Sequence, residues 1–312
     1  MTKIKPISSM TIPRFADIAT FFRLPIIKDL EQLDYCICGV PWDGGTTNRP
    51  GARHGPREIR NSSSLIRLYH PKSLQSPYDN FNVADIGDCP VNPADLQDSL
   101  KKIENFYNKI YDSKTIPISI GGDHLVSLPI LRALAKKKPI GLFQFDSHTD
   151  TYDTYFGGFK YTHGTPFRRA IEENLIDPKK YVMLGIRGSL YHPDDVSWAK
   201  DQGITVITID DYYEMGFEKV VKKIHDVLHD VPTYLTFDID GIDSTFAPGT
   251  GTPEVGGFNV RESQMIIRAL NKINFIGADV VEVSPPFDIN NMTSHIGANI
   301  AFEILCTLTK TN

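Results

Sequence analysis

From about residue 35 onwards, short apolar runs alternate with longer amphipathic segments, and no other feature of the chain restricts its fold as strongly. The runs cover residues 35–40, 116–120, 140–145, 181–184, 204–209, 234–237 and 275–281, each rich in Ile, Val, Leu or aromatic side chains. Runs this short predict strands rather than helices, and strands that are apolar throughout are covered on both faces. The clearest helix opens at Asn92-Pro93, where Asn serves as N-cap and Pro is tolerated in the first turn. Its apolar positions Leu96, Leu100, Ile103, Tyr107 and Ile110 share one face. Further helices are expected over 55–69, 128–137, 166–174, 215–229 and 261–271. This alternation predicts an α/β fold, with helices on both faces of a mainly parallel central sheet in a three-layer αβα sandwich. The 312 residues contain no repeat, low-complexity tract or long linker. One domain is therefore expected over 35–312, preceded by an arm over 1–34 that meanders across its surface.

Composition narrows the function classes. Hydrophobic residues at 41% and charged residues at 23% exclude a disordered or collagenous chain. Lys and Arg total 33 against 38 Asp and Glu, a net charge of -5, which leaves no basic footprint for nucleic acid or an acidic membrane. Pro13, Arg14, Asp17, Arg23 and Pro25 break every apolar stretch near the N-terminus, so neither an export signal nor a membrane-spanning helix is expected. Cys36, Cys38, Cys89 and Cys306 are too irregularly spaced for a disulfide framework or a paired-cysteine zinc site, and fit reduced thiols in a cytoplasmic protein.

Three of the predicted strands end in residues that bind metals. TIPISIGGDH closes on Asp123 and His124, PIGLFQFDSHTD carries Asp146, His148 and Asp150, and YLTFDIDGID carries Asp238 and Asp240. Alternate spacing on an extended backbone turns such side chains to one side. In open α/β sheets the ligand site lies beyond the carboxyl ends of the strands, where all three clusters fall. His124, Asp146, His148, Asp150, Asp238 and Asp240 together offer two imidazoles and four carboxylates. One divalent ion would not offset that charge, whereas two would. Oxygen and imidazole ligands suit Mn(II) first, with Ni(II), Co(II) or Fe(II) as alternatives, and the lack of thiolates argues against structural zinc. Two such ions can activate a shared water near neutral pH. His70, His192, His225 and His229 fall in helices or polar loops and are expected to be solvated, while His54 beside a helix entry stays open between the two roles.

At these residues the chain resembles the ureohydrolase family, which includes arginase, agmatinase, guanidinobutyrase, guanidinopropionase and proclavaminate amidinohydrolase, and it is most similar to the agmatinase-like branch. The likeness runs from GVPWDGGTTNRPGARHGPREIR at 39–60 through GGDH, FDSHTD, THGTPFRRA, FDIDGIDSTFAPGTGTPEVGG and VVEVSPPFD to ANIAFEILC. Ser147 departs from the family's usual Ala, a small residue not expected to disturb ligation. The resemblance implies the arginase/deacetylase-like form of the sandwich and two manganese ions on the six residues above. It further implies that His163 shuttles protons to solvent and that Glu282 pairs with a substrate guanidinium, a match of planar forks. The implied reaction is hydrolysis of a small guanidino compound to urea and an amine, with Asp150 carrying a proton released on the way. Asp123, Asp243 and Glu254 would orient imidazoles or loops. A homo-oligomer, trimer or hexamer, is implied on the same ground.

Because every member attacks the same group, discrimination falls to the far end of the substrate. The segment TYDTYFGGFKY at 151–161, Asn48-Arg49 and the loop 185–195 are the expected walls. Asp153 would meet the ammonium of agmatine, whereas Arg49, Lys160 or Arg187 would meet a carboxylate. Tyr152, Tyr155, Phe156 and Phe159 narrow the pocket towards very small substrates, guanidine included. Agmatine is the first expectation, with 4-guanidinobutyrate, 3-guanidinopropionate, a proclavaminate precursor or guanidine as alternatives. Another amide hydrolase on the deacetylase fold is disfavoured by the full ligand set, and a silent binding or regulatory subunit by the intact ligands and His163.

Overall fold

The computed structural model describes residues 4–309; residues 1–3 of the expected arm and 310–312 of the expected domain lie outside the described residues. Among the described residues eight strands, β1 Tyr35–Gly39, β2 Val83–Asp88, β3 Ile116–Ile120, β4 Ile140–Phe145, β5 Ile176–Ile186, β6 Thr205–Thr208, β7 Thr233–Asp238 and β8 Phe275–Val281, form one sheet. Every pairing is parallel and the order is β2-β1-β3-β8-β7-β4-β5-β6.

Successive side chains of a strand point to opposite faces, and here that alternation separates two cores. Ile118, Ile120, Phe143, Phe145, Leu235 and Phe237 pack on one face, against the helices Gly55–Ser63, Phe217–Leu228, Val260–Ala269 and Met292–Leu308. Leu142, Tyr181, Met183 and Tyr234 pack on the other, against Leu96–Ser113, Ser127–Leu134 and Pro166–Glu172. The result is the αβα sandwich expected from the alternation. No helix among the described residues is long and apolar enough to cross a membrane.

Several elements differ from expectation for identifiable reasons. The helix expected from Asn92 starts at Leu96, because Asp95 is the N-cap and accepts from Asp98 N at 3.0 Å, while Asn92 caps its own turn by accepting from Ala94 N. The helix expected over 215–229 begins only at Phe217, since Gly216 adopts a φ of 81° and separates it from Ile209–Met215. Strand β2 was hidden by the polar letters in VADIGD; its Asp85 is buried, bound by Arg60 and by Phe21 N. The arm does not simply lie on the surface, because Phe21, Phe22 and Leu24 are buried in the core. His70, expected in solvent, is 4% exposed and lies 3.0 Å from Glu303 Oε2, a carboxylate that also accepts from Arg268. His225 is part-buried on Ala269 O, and His54, His192 and His229 are exposed.

Candidate active site

Strand order and register bring the site together. Strands β3, β8, β7 and β4 are successive neighbours, and Ile120, Val280, Phe237 and Phe145 lie level across them. One residue further on, Asp146 therefore sits beside Asp238, and Glu282 follows Val281 on the strand between β7 and β3. Beneath the two aspartates, the rings of Phe145 and Phe237 stack with centroids 4.3 Å apart and 8° between planes, a platform that fixes the strand ends.

The six expected ligands form two joined clusters. His124 Nδ1 lies 2.9 Å from Asp150 Oδ2, 3.1 Å from Asp238 Oδ2 and 3.2 Å from Asp146 Oδ2. His148 Nδ1 lies 3.1 Å from Asp240 Oδ2 and 3.7 Å from Asp146 Oδ1. Asp146 thus turns one oxygen to each cluster. Within each cluster the donor atoms lie within 4.8 Å of one another, and all the residues are buried except the half-buried His148. Asp150 reaches this position with a φ of 51°, a conformation that costs a non-glycine residue about 1–2 kcal/mol.

The electrostatics call for cations. Burial and repulsion from Asp150 and Asp240 push Asp146 up to about 7, and burial with repulsion from Asp240 and Asp146 drives Asp238 well above the usual carboxylate range. Burial also opposes ionisation of Asp240, but His148 and Ser147 hold it below its ordinary value. Three carboxylate oxygens converge on His124 Nδ1 without one of them completing a hydrogen bond to it. Burial opposes charge on His124, and these acids nevertheless raise its pKa. On this donor set the residues fit two divalent ions. Ser147 does more than leave room: its hydroxyl donates to Asp240 Oδ1 at 2.6 Å.

Glu282 and His163 face each other across the site. Glu282 has a φ of 64°, its N–H donates to Gly122 O at 2.8 Å, and Oε1 accepts from His124 N at 2.8 Å. His163 Nδ1 lies 2.9 Å from the same Oε1. Burial disfavours the imidazolium, but the Glu282 charge and hydrogen bond outweigh it and raise His163 to about 9. Asp123 accepts from Gly45 N and Leu125 N, and Asp243 from Gly257 N and Thr245, so both hold loops. Glu254 Oε1 is 3.8 Å from His148 Nε2.

A cavity of about 480 Å³ opens onto these groups, walled by Asn48, Arg49, Tyr152, Tyr155, Ser189 and Tyr191 among others. Of the residues expected at the substrate, Arg49, Tyr152 and Glu282 line it. Asp153, Lys160 and Arg187 do not, for physical reasons. Asp153 turns outward to Arg169, with Nη2 at 3.0 Å, and Lys160 is exposed. Arg187 donates to the carbonyls of Gly185, Asp240, Gly241, Ile242, Glu254 and Val255, and so clamps the loops behind the site. Phe156 and Phe159, expected to narrow the pocket, are exposed and outside its lining. Sequence reasoning missed Thr236, whose hydroxyl lies 2.7 Å from His124 Nε2, and Asp279, which that hydroxyl contacts at 2.6 Å. Their only signal was a polar letter inside the apolar runs YLTFD and FIGADVV. Thr47, on His163 Nε2, was also missed.

Comparison with known proteins agrees with this geometry. The arginase family model matches residues 33–307. The chain is 54% identical to guanidinopropionase of Pseudomonas aeruginosa, over 97% of this chain and 96% of that protein, and 43% identical to guanidinobutyrase of the same organism, with the same shares covered. Proclavaminate amidinohydrolase from Streptomyces clavuligerus superposes with a TM-score of 0.91 at 37% identity, over 95% of this chain and 99% of that one. With the sheet, the donor clusters and these relatives in agreement, the chain belongs to the arginase family and is a hydrolase of guanidino carbon–nitrogen bonds.

Proposed function

We propose that the substrate is a short guanidino acid, 3-guanidinopropionate ahead of 4-guanidinobutyrate, cleaved to urea and an amino acid. One observation carries this reading: Arg49 is the cavity's cationic wall residue, while Asp153, the candidate partner for an ammonium, is engaged outside by Arg169. Arg49 donates through Nε to Gly251 O at 3.1 Å and through Nη2 to Thr250 O at 2.6 Å, and stacks over Phe287. Nη1 keeps no hydrogen-bond partner among the described residues and is available to a carboxylate. The acids that line the cavity, Asp150, Asp238, Glu254 and Glu282, all lie beside His124, His148 or His163, and so surround the guanidinium end. Agmatine, with a cation at both ends, finds no such partner for its tail. The guanidinopropionase and guanidinobutyrase relatives support the same choice.

Two divalent ions, Mn(II) first with Ni(II) or Co(II) as alternatives, would be held by His124, Asp146, Asp150 and Asp238 and by Asp146, His148 and Asp240, where they supply Lewis acidity and lower the pKa of water. Glu282 orients the guanidinium, Oε1 being fixed by His124 N–H so that the carboxylate plane is set before substrate arrives. As water's oxygen joins the guanidinium carbon, the bond to the alkyl nitrogen breaks. Both protons of that water end on the leaving nitrogen, giving urea and an ammonium. Asp150 carries one of them across the site, and His163 exchanges the other with solvent.

The test is urea release from 3-guanidinopropionate, 4-guanidinobutyrate, agmatine, arginine and guanidine by protein loaded with Mn(II) or Ni(II). The expected result is a kcat/KM for the two acids at least about 100-fold above that for agmatine, the margin that an unpaired buried charge imposes. A lead for agmatine overturns the substrate reading, and silence on every compound with two metals bound overturns the reaction.

A further inference from the structure

We infer that the Thr47 hydroxyl is the proton relay of His163, a positioning residue that lets the ring gain and lose a proton at Nε2 without moving. This rests on the reading of His163 as the group that exchanges protons with solvent. His163 is 7% exposed and borders the cavity that Thr47 also lines, so what each ring nitrogen can exchange is set by its immediate partner. Its Nδ1 faces Glu282 Oε1 at 2.9 Å, and an ionised carboxylate only accepts, so Nδ1 keeps its proton. The proton that comes and goes is therefore the one on Nε2.

Two groups of one residue meet Nε2: the N–H of Thr47 at 3.2 Å and its Oγ1 at 2.8 Å. An N–H can only donate, so it serves the neutral ring alone. A hydroxyl rotates: it donates to the neutral imidazole and accepts from the imidazolium. Thr47 Oγ1 is thus the one partner among the described residues that satisfies both charge states at this nitrogen, where an unpaired buried polar group is costly. In the discharging step the Nε2–H proton passes to Oγ1 while Oγ1 gives its own proton to a solvent molecule in the cavity, which Thr47 lines. The reverse step recharges the ring, and Thr47 ends unchanged in both directions. Glu282, Asp150 and Asp123 favour the positive form of His163, and when the ring passes a proton on, Nε2 is where one is regained.

The loop is built to keep this contact. Gly45 O accepts from His163 N at 2.9 Å, Gly45 N donates to Asp123 Oδ2 at 2.6 Å, and the buried Asp43 accepts from Gly51 N at 2.7 Å. Thr47 is pinned on both sides against a residue 116 positions away.

The experiment compares Thr47→Val, Thr47→Ala and Thr47→Ser with the parent and with His163→Asn, on whichever guanidino compound turns over fastest. Thr47→Val and Thr47→Ala are expected to lower kcat by about 10-fold or more with KM changed less than about 2-fold, and Thr47→Ser to stay within about 3-fold of the parent. An independent readout uses metal-free, ¹⁵N-histidine-labelled protein. In the Val and Ala variants the imidazolium loses its acceptor while the Thr47 position's N–H still favours the neutral ring, so His163 titrates at lower pH; Thr47→Ser titrates like the parent. Parental kcat and an unmoved titration in Thr47→Val and Thr47→Ala overturn the relay. If those variants are fast and His163→Asn is slow, only the relay falls. A parental rate in His163→Asn removes the reading of His163 itself.

Discussion

Thr236 and Asp279 are Cα partners on neighbouring strands, and the threonine hydroxyl donates to the carboxylate across 2.6 Å. That bond uses the hydroxyl's only hydrogen, so His124 Nε2, 2.7 Å from the same oxygen, must donate to it. A ring carrying only that proton has its lone pair on Nδ1, the atom that faces Asp146, Asp150 and Asp238 and would be the one to hold a metal. Asp279 thereby sets the tautomer of a histidine it does not touch. It is itself held by Ser127 and Tyr234 hydroxyls at 2.6 and 3.0 Å.

Thr236→Val keeps the shape and removes the hydroxyl. His124 Nε2 then has no acceptor, and affinity for Mn(II) is expected to fall by about 10–100-fold. Isothermal titration of metal-free protein measures this directly. An unchanged affinity would show that the sheet does not set the tautomer.

The pair His163–Glu282 makes the metal-free protein's stability depend on pH. His163 is raised from 6.5 to about 9 by Glu282, against the opposing effect of burial. A raised basic pKa contributes stability that is complete below 6.5 and is lost as pH climbs to about 9, on the order of 3 kcal/mol at most. Asp123, pushed up to about 8 by burial and by the Glu282 charge, acts in the same direction, since the folded state binds its proton more tightly than the unfolded chain does. Thermal unfolding without metal should therefore show Tm falling between pH 6.5 and 9. Glu282→Gln should flatten that fall; an equal slope in the variant would contradict the assignment.

Arg49 and Asp153 carry opposite expectations. Arg49→Gln should raise KM for guanidino acids by about 10-fold or more, as expected when a charge-assisted bond to a carboxylate is lost, with a smaller effect on kcat. Asp153→Asn should leave kcat/KM within about 3-fold, because its carboxylate meets Arg169 outside the cavity. Steady-state kinetics of the two variants decide the matter. A larger loss in Asp153→Asn than in Arg49→Gln would reverse the substrate assignment.

The chemistry of this chain was readable where residue type and strand end coincide. Asp146, His148, Asp150, Asp238 and Asp240 stand at alternate positions at the ends of apolar runs, which marks them, but Asp150 reaches the site through a φ of 51° and Asp240 from a short 3-10 turn rather than along an extended backbone. Strand β2 and the helix Met292–Leu308 were not readable. The first mixes Asp85 and Gly87 into its run, and the second is buried on nearly every side, so it shows no polar stripe to mark its period. The substrate wall was only half readable for a different reason. Arg49, Lys160 and Arg187 are equally cationic as letters, but which of them faces the cavity depends on partners far away in sequence, such as the carbonyls of Asp240, Gly241, Ile242, Glu254 and Val255 that occupy Arg187. The same holds for Asp153, which its neighbour in space, Arg169, turns away.

Metal removal should expose the repulsion that the ions offset. Each ion at about 100 times its Kd stabilises the folded state by about 2.7 kcal/mol, which for a chain of this size corresponds to a rise of roughly 4 °C in Tm per ion. Chelation should remove that rise. Asp238→Asn should behave oppositely in the two states: it removes one of the carboxylates that burial and like charge drive above their ordinary range, so the chelated variant should melt above the chelated parent at pH 8. The same variant loses a ligand to His124's cluster and should gain little on adding Mn(II). Scanning calorimetry of both proteins, with and without metal, gives all four values. If Asp238→Asn lowers the chelated Tm and leaves the metal-induced rise intact, Asp238 is a structural carboxylate rather than a ligand.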